Sequence, residues 1–201
     1  MTNNQLALLI AAIIILAVIY YLTATSEMMA SNGSIYPVYA NYSDHKQALA
    51  IIAYLDSQLM TLLQHLKYRY PNDPVVINIL RRYNPDNIGE EQPHNFMGHT
   101  SYTVNKGEAF RYCLRDKSTL KLHNRDDLTF VAIHELAHVG DWNFDHGPTF
   151  WAVFKFLLIE ALAVGIHYPV DYAAKPIKYC GMDVLYSPYF DVSLHAYQPL
   201  Q

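Results

Sequence analysis

Cysteine, glycine and charge are all scarce in this chain of 201 residues. The 2 cysteines, Cys113 and Cys180, stand far apart and form no CxxC pair. That excludes a disulfide-stapled miniature fold and a zinc–thiolate centre, and leaves open a single bridge in an oxidising compartment. With 8 glycines, 10 prolines and no repeat, collagen-like and low-complexity classes are excluded as well. Charged residues make up 16%, the formal balance is −4, and Lys and Arg gather nowhere beyond the adjacent pair Arg81-Arg82. No dedicated nucleic-acid surface is therefore expected.

What the chain does have is hydrophobic residues, 52% of the total, with one unbroken apolar-aromatic run from Leu6 to Leu22. As a helix this run is about 25 Å long, close to the thickness of a bilayer core once its flanks contribute. Tyr20 and Tyr21 suit an interface. A cleaved signal peptide fits less well, because residues 1–5 carry no Lys or Arg and the run exceeds the usual h-region. A buried core helix would need protein cover on every side. The sequence thus predicts a short flank at 1–5 and a single-pass transmembrane anchor at 6–22. Neither flank carries Lys or Arg before Lys46, so the positive-inside bias sets no orientation. Asn32-Gly-Ser and Asn41-Tyr-Ser match the glycosylation pattern, and two short matches do not fix the topology either.

Residues 23–42 read as a turn-rich tether, leaving 43–201 for one soluble domain. Ser43 is the expected cap of a helix to about Tyr68, with Ile51, Ile52, Leu55, Leu59, Leu62, Leu63 and Leu66 at three- and four-residue steps. Asp73-Pro74 opens a short helix to about 83, and 84–99 reads as loop. Alternation around Asn105-Lys106-Gly107 predicts a β-hairpin over about 100–115. Asn124, with Asp126 and Asp127, starts a helix ending at Gly140. Gly147-Pro148 opens another, which runs to about Gly165, and Met182 to Leu185 is a short strand. The expected class is α+β, helices with a small antiparallel sheet.

His134-Glu135-Leu136-Ala137-His138 lies inside the predicted 125–140 helix. Residues four apart share a helix face, so the two imidazoles can grip one zinc ion. Glu135, about 100° around the helix, can serve as general base toward water. Chance supplies this pattern roughly once or twice in a hundred such chains. A catalytic zinc needs a third protein ligand and an open position. His146, a short loop beyond the motif, is the favoured third ligand. Glu160 is the alternative; it would stand about 21 Å along the next helix from His146, so the two exclude each other. Asp141 and Asp145 are weaker candidates. His94, His99, His123 and His167 read as surface or capping histidines.

Together, His134-Glu-Leu-Ala-His138, His146-Gly-Pro-Thr-Phe-Trp151 and Cys113-Leu-Arg115 on a strand resemble the WLM and SprT-like zincin metallopeptidases, over about residues 100–190. Within that group the resemblance is strongest to the membrane-anchored WLM-like proteins of large DNA viruses, which share an element like Tyr179-Cys-Gly-Met182. It implies a zincin-like domain built on an HExxH helix, and one Zn2+ per chain held by His134, His138 and His146. Glu135 would be the catalytic glutamate, the substrate a protein or peptide, and the location a host or virion membrane. The wide gap between His138 and His146, and the position of Gly140, depart from the metzincin pattern. Tyr179 is nominated as oxyanion stabiliser, and the hairpin edge near 109–115 as the strand that pairs with substrate. Two other functions fit less of the sequence. One is a zinc-stabilised structural or interaction protein of a membrane or virion. The other is a DNA-associated crosslink protease, disfavoured by the acidic balance.

Overall fold

The computed structural model describes residues 2–93, 100–143 and 145–200, and within them the fold is mixed α+β. Helix α1 (Asn3–Thr23) starts at a capping box: Thr2 accepts the Gln5 amide and the Gln5 side chain accepts the Thr2 amide. Its segment Asn3–Tyr20 has a mean hydropathy of 2.1 and no part buried by the rest of the chain, so it is long and apolar enough to cross a membrane.

The segment expected as a tether is instead a hairpin. Strands β1 (Ser26–Met29) and β2 (Ile35–Val38) pair antiparallel, with Ser26 opposite Val38. Tyr36 and Val38 are fully buried, and the Tyr36 hydroxyl donates to Asp56 at 2.7 Å. This short aromatic strand is part of the domain's core, which therefore begins well before residue 43.

Helix α2 (His45–Arg69) buries the predicted stripe. Its cap is Asp44 rather than Ser43. The Asp44 carboxylate makes no capping bond, because it turns to Arg115, whose Nη1 lies 2.5 Å from Oδ1. Helix α3 (Pro74–Arg82) begins as predicted, with Asp73 accepting the Val76 amide at 3.0 Å. The stretch 84–99, expected as loop, contains β3 (Ile88–Glu90), all three residues of which are buried. Three residues with a buried acid show no alternation. The burial holds because the Glu90 carboxylate takes Arg115 Nε at 2.9 Å and the Tyr39 amide at 2.9 Å. His94 and His99 lie outside the described residues.

Strands β4 (Tyr102–Val104) and β5 (Ala109–Tyr112) form the expected hairpin, and β3 joins it in parallel, in the order β3-β5-β4. The sheet is thus mixed rather than antiparallel. It also corrects the expected substrate edge: β5 at 109–112 is the central strand, and among the described residues β3 and β4 are the edge strands.

Helix α4 (Arg125–Gly140) starts at Asn124, whose side chain accepts the Asp126 amide. It is buried on nearly every side, which is why its sequence carries little amphipathic contrast. Gly140 is its last residue, where the sequence placed its end. A Cβ there would come within 3.0 Å of Ile79, so the glycine lets α3 pack close. Helix α5 (Pro148–Ala163) follows. Strand β6 (Ile177–Tyr179) pairs with β7 (Met182–Val184) across Cys180-Gly181, both at positive φ, and the disulfide Cys113–Cys180 ties this hairpin to the end of β5.

Candidate metal centre

Helix α4 carries His134 and His138 one turn apart, their ring centroids 4.9 Å from each other. The chain then leaves the helix at Asp141, whose extended backbone ends it, and returns His146 immediately before α5. His146 Nε2 comes to 3.2 Å from His134 Nε2, and its ring centroid is 4.7 Å from that of His138. One ligand atom from each of the three lies within 4.8 Å of the others. Phe150, in the first turn of α5, backs all three rings at centroid distances of 4.3 to 4.9 Å.

Burial sets the protonation of this cluster. It pushes the His134 imidazolium well down, with the neighbouring histidines adding to the effect, and holds His138 at about 4. His146, the exposed member of the three, is lowered too by partial desolvation, with Asp145 opposing. Three neutral imidazoles converging at these distances are the donor set of a borderline cation such as zinc, and three protein ligands leave a fourth position for water or substrate. The residues present fit that ion.

Glu135 is buried beside this cluster, and burial raises its carboxyl to about 7. The Thr103 hydroxyl on β4 donates to Oε2 at 2.9 Å and partly offsets that rise. Both Thr103 and Glu135 line a cavity of about 540 Å³ that opens over the three histidines. Its other walls are largely apolar: Phe130, Phe154 and Trp151 on the helices, Met182 and Val184 on β7.

Glu160 is not brought to the cluster. It accepts from Tyr70 at 2.9 Å and pairs with His65 Nε2 at 2.6 Å, bridging α5 to α2. Tyr179 does line the cavity, with its hydroxyl in a 2.5 Å bond to Ser101 and its ring against His123. The Asp145 carboxylate accepts the Gly147 amide, within the turn before α5.

His123 is half-buried, and its Nε2 accepts the Cys180 amide at 3.3 Å, a capping bond to the β6–β7 turn. His167 departs further from a capping role. It is buried against Phe130, neither ring nitrogen has a hydrogen-bond partner among the described residues, and burial lowers its pKa to about 4.

Two residues that line the cavity, Thr103 and Lys106, escaped the sequence. Thr103 is one polar position in an alternating strand, and Lys106 is one of three turn residues. Only tertiary contact distinguishes either.

The relatives of this chain are viral. It is 29% identical over 188 residues to an uncharacterized protein of Acanthamoeba polyphaga mimivirus, covering 89% of this chain and 92% of that one. It is 32% identical over 106 residues to an uncharacterized protein of invertebrate iridescent virus 3, covering 53% and 60%. A third, from invertebrate iridescent virus 6, is 35% identical over 72 residues, covering 35% and 40%. No family model and no solved structure matches the chain.

Proposed function

We propose that this chain is a membrane-anchored, zinc-dependent metallopeptidase of the WLM and SprT-like zincin type. The observation that carries the reading is the convergence of His134, His138 and His146 beside a buried Glu135 whose carboxylate is steadied by Thr103. Zinc held by the three imidazoles would supply Lewis-acid polarisation of a scissile carbonyl and acidification of water.

The protein's own residues divide the remaining work. Glu135 accepts a proton from the attacking water and returns it to the departing amine nitrogen. A carboxyl near 7 suits both transfers, since it gains and loses a proton readily at neutral pH. Thr103 holds one carboxylate oxygen of Glu135, and both residues line the cavity. The edge strand β4 offers backbone groups to an extended peptide lying across the site. The largely apolar cavity walls offer contact surface to substrate side chains beside the reacting groups.

Helix α1 makes the anchor. Only Ala24 and Thr25 separate it from β1, a reach of about 10 Å, so substrates would be proteins close to the bilayer.

The test is hydrolysis of a mixed peptide library by the full chain in detergent, with zinc added back after chelation. Cleavage that requires zinc and falls about 10²–10⁴-fold in Glu135→Gln is expected. A folded, zinc-loaded chain whose cleavage is nil, or equal in the variant, would favour a structural zinc protein instead.

A further inference from the structure

Lys106 occupies a position that disfavours a lysine twice over. Its backbone is left-handed, φ 62°, directly after Asn105 at 43°, and its side chain is buried with 8% exposure. Left-handed backbone is unfavourable for a residue with a β-carbon, and a buried ammonium is tolerated only when its protons are taken. Something in the surroundings holds it there.

The turn itself is clamped. Gly107 follows at φ 119°, and a Cβ on it would stand 2.6 Å from the backbone oxygen of Arg82, so the turn is pressed against the end of α3. Asn87 donates its side-chain amide to the Gly107 carbonyl at 3.2 Å. The β4–β5 turn is therefore a fixed platform, seated on α3 and on the residues before β3.

From that platform the Lys106 ammonium donates to two main-chain carbonyls, that of Asp141 at 3.0 Å and that of Asn143. Asp141 is the C-cap of α4, where the helix dipole favours a cation and carbonyls lack helical partners. Asn143 lies between that cap and His146, and its side chain donates to Thr149 at 3.0 Å. Lys106 thus pins the departure of the chain from the helix bearing two histidines, on the way to the third.

We propose that Lys106 is a positioning residue for the metal centre: its ammonium, delivered by the β4–β5 turn, fixes the Asp141 and Asn143 backbone beyond α4 and so sets His146 against His134 and His138. The inference rests on the metal-centre reading above. Lys106 also lines the cavity over the histidines, and the role assigned to it here is the one exerted through His146.

The experiment is a double-mutant cycle on zinc affinity, by competition with a chromophoric chelator, in the full chain in detergent. Lys106→Met is expected to weaken zinc about 10–100-fold, the range for residues that orient metal ligands. In the His146→Ala background the same substitution is expected to change affinity less than about twofold, because the ligand it positions is gone. Lys106→Arg, which can still donate to the carbonyls, is expected to recover most of the loss. Circular dichroism checks folding. If Lys106→Met does not fold, Lys106→Gln replaces it in the same cycle.

Tight zinc binding by the parent that is equal in the Lys106 variant overturns the positioning role and leaves the metal centre standing. A loss that is undiminished in the His146→Ala background overturns the positioning role in the same way. A parent chain that binds no zinc overturns both.

Discussion

Thr103, the middle residue of the edge strand β4, donates its hydroxyl to Oε2 of Glu135 on α4 at 2.9 Å. The bond joins the sheet to the helix that carries His134, Glu135 and His138. Register makes it specific: Thr103 stands opposite Phe110 on β5, whose ring is fully buried, and a slip of one residue would turn the hydroxyl to the other face.

Thr103→Val keeps the shape of the strand and removes the donor. A hydrogen bond to a charged group contributes about 1.5–3 kcal/mol, and each 1.4 kcal/mol is tenfold in rate. The expected result is a kcat lower by about tenfold or more, with KM little changed and zinc content intact. Steady-state kinetics on a cleaved peptide checks it.

Glu160→Ala leaves His65 and Tyr70 without their shared carboxylate partner. Stability is expected to fall by about 1–3 kcal/mol in urea unfolding, while zinc content stays that of the parent. Loss of zinc in this variant would move the third ligand from His146 to Glu160.

The bridge between Cys113 and Cys180 spans 67 residues and fastens the β6–β7 hairpin, whose Met182 and Val184 wall the cavity. Loop entropy assigns such a bridge about 4 kcal/mol. The Cys113→Ala, Cys180→Ala double variant is expected to lose about 2–4 kcal/mol, and protease cleavage within 177–186 should become faster. Unchanged stability would mean that the bridge does not form.

His167 ties stability to pH. Its pKa is about 4 in the fold and about 6.5 in the unfolded chain, so below 6.5 the unfolded state binds more protons. Stability linked to this group is complete above about pH 6.5, is lost as pH falls toward 4, and changes no further below that. The difference is about 3 kcal/mol at most. His167→Leu, which leaves no polar atom unpaired, is expected to flatten the stability profile between about pH 6.5 and 4. An identical profile in the variant would contradict this assignment.

Legibility in the sequence followed local determinants. Helices α2, α3, α4 and α5 carry apolar periodicity, Asp73 or Asn124 as caps, or a proline at the first turn, all readable within a few residues. The pair His134 and His138 is a within-helix spacing, readable for the same reason. Strands β1 (Ser26–Met29), β2 (Ile35–Val38) and β3 (Ile88–Glu90) show no polar–apolar alternation, unlike the equally short β4 and β5, and β3 is held by a buried Glu90–Arg115 pair distant in sequence. Asp44 turned from α2 toward Arg115, Glu160 bonded to His65, and Lys106 under the His146 segment are all long-range pairings. Each depends on where the other element sits, which composition and spacing do not encode.

The most direct measurement is X-ray absorption at the zinc edge on the zinc-loaded full chain, beside its His146→Ala variant. The account predicts one zinc per chain with three imidazole nitrogens at about 2.0–2.1 Å and one further light ligand, and one imidazole fewer in the variant. No bound zinc, or an imidazole count that His146→Ala leaves unchanged, would contradict it.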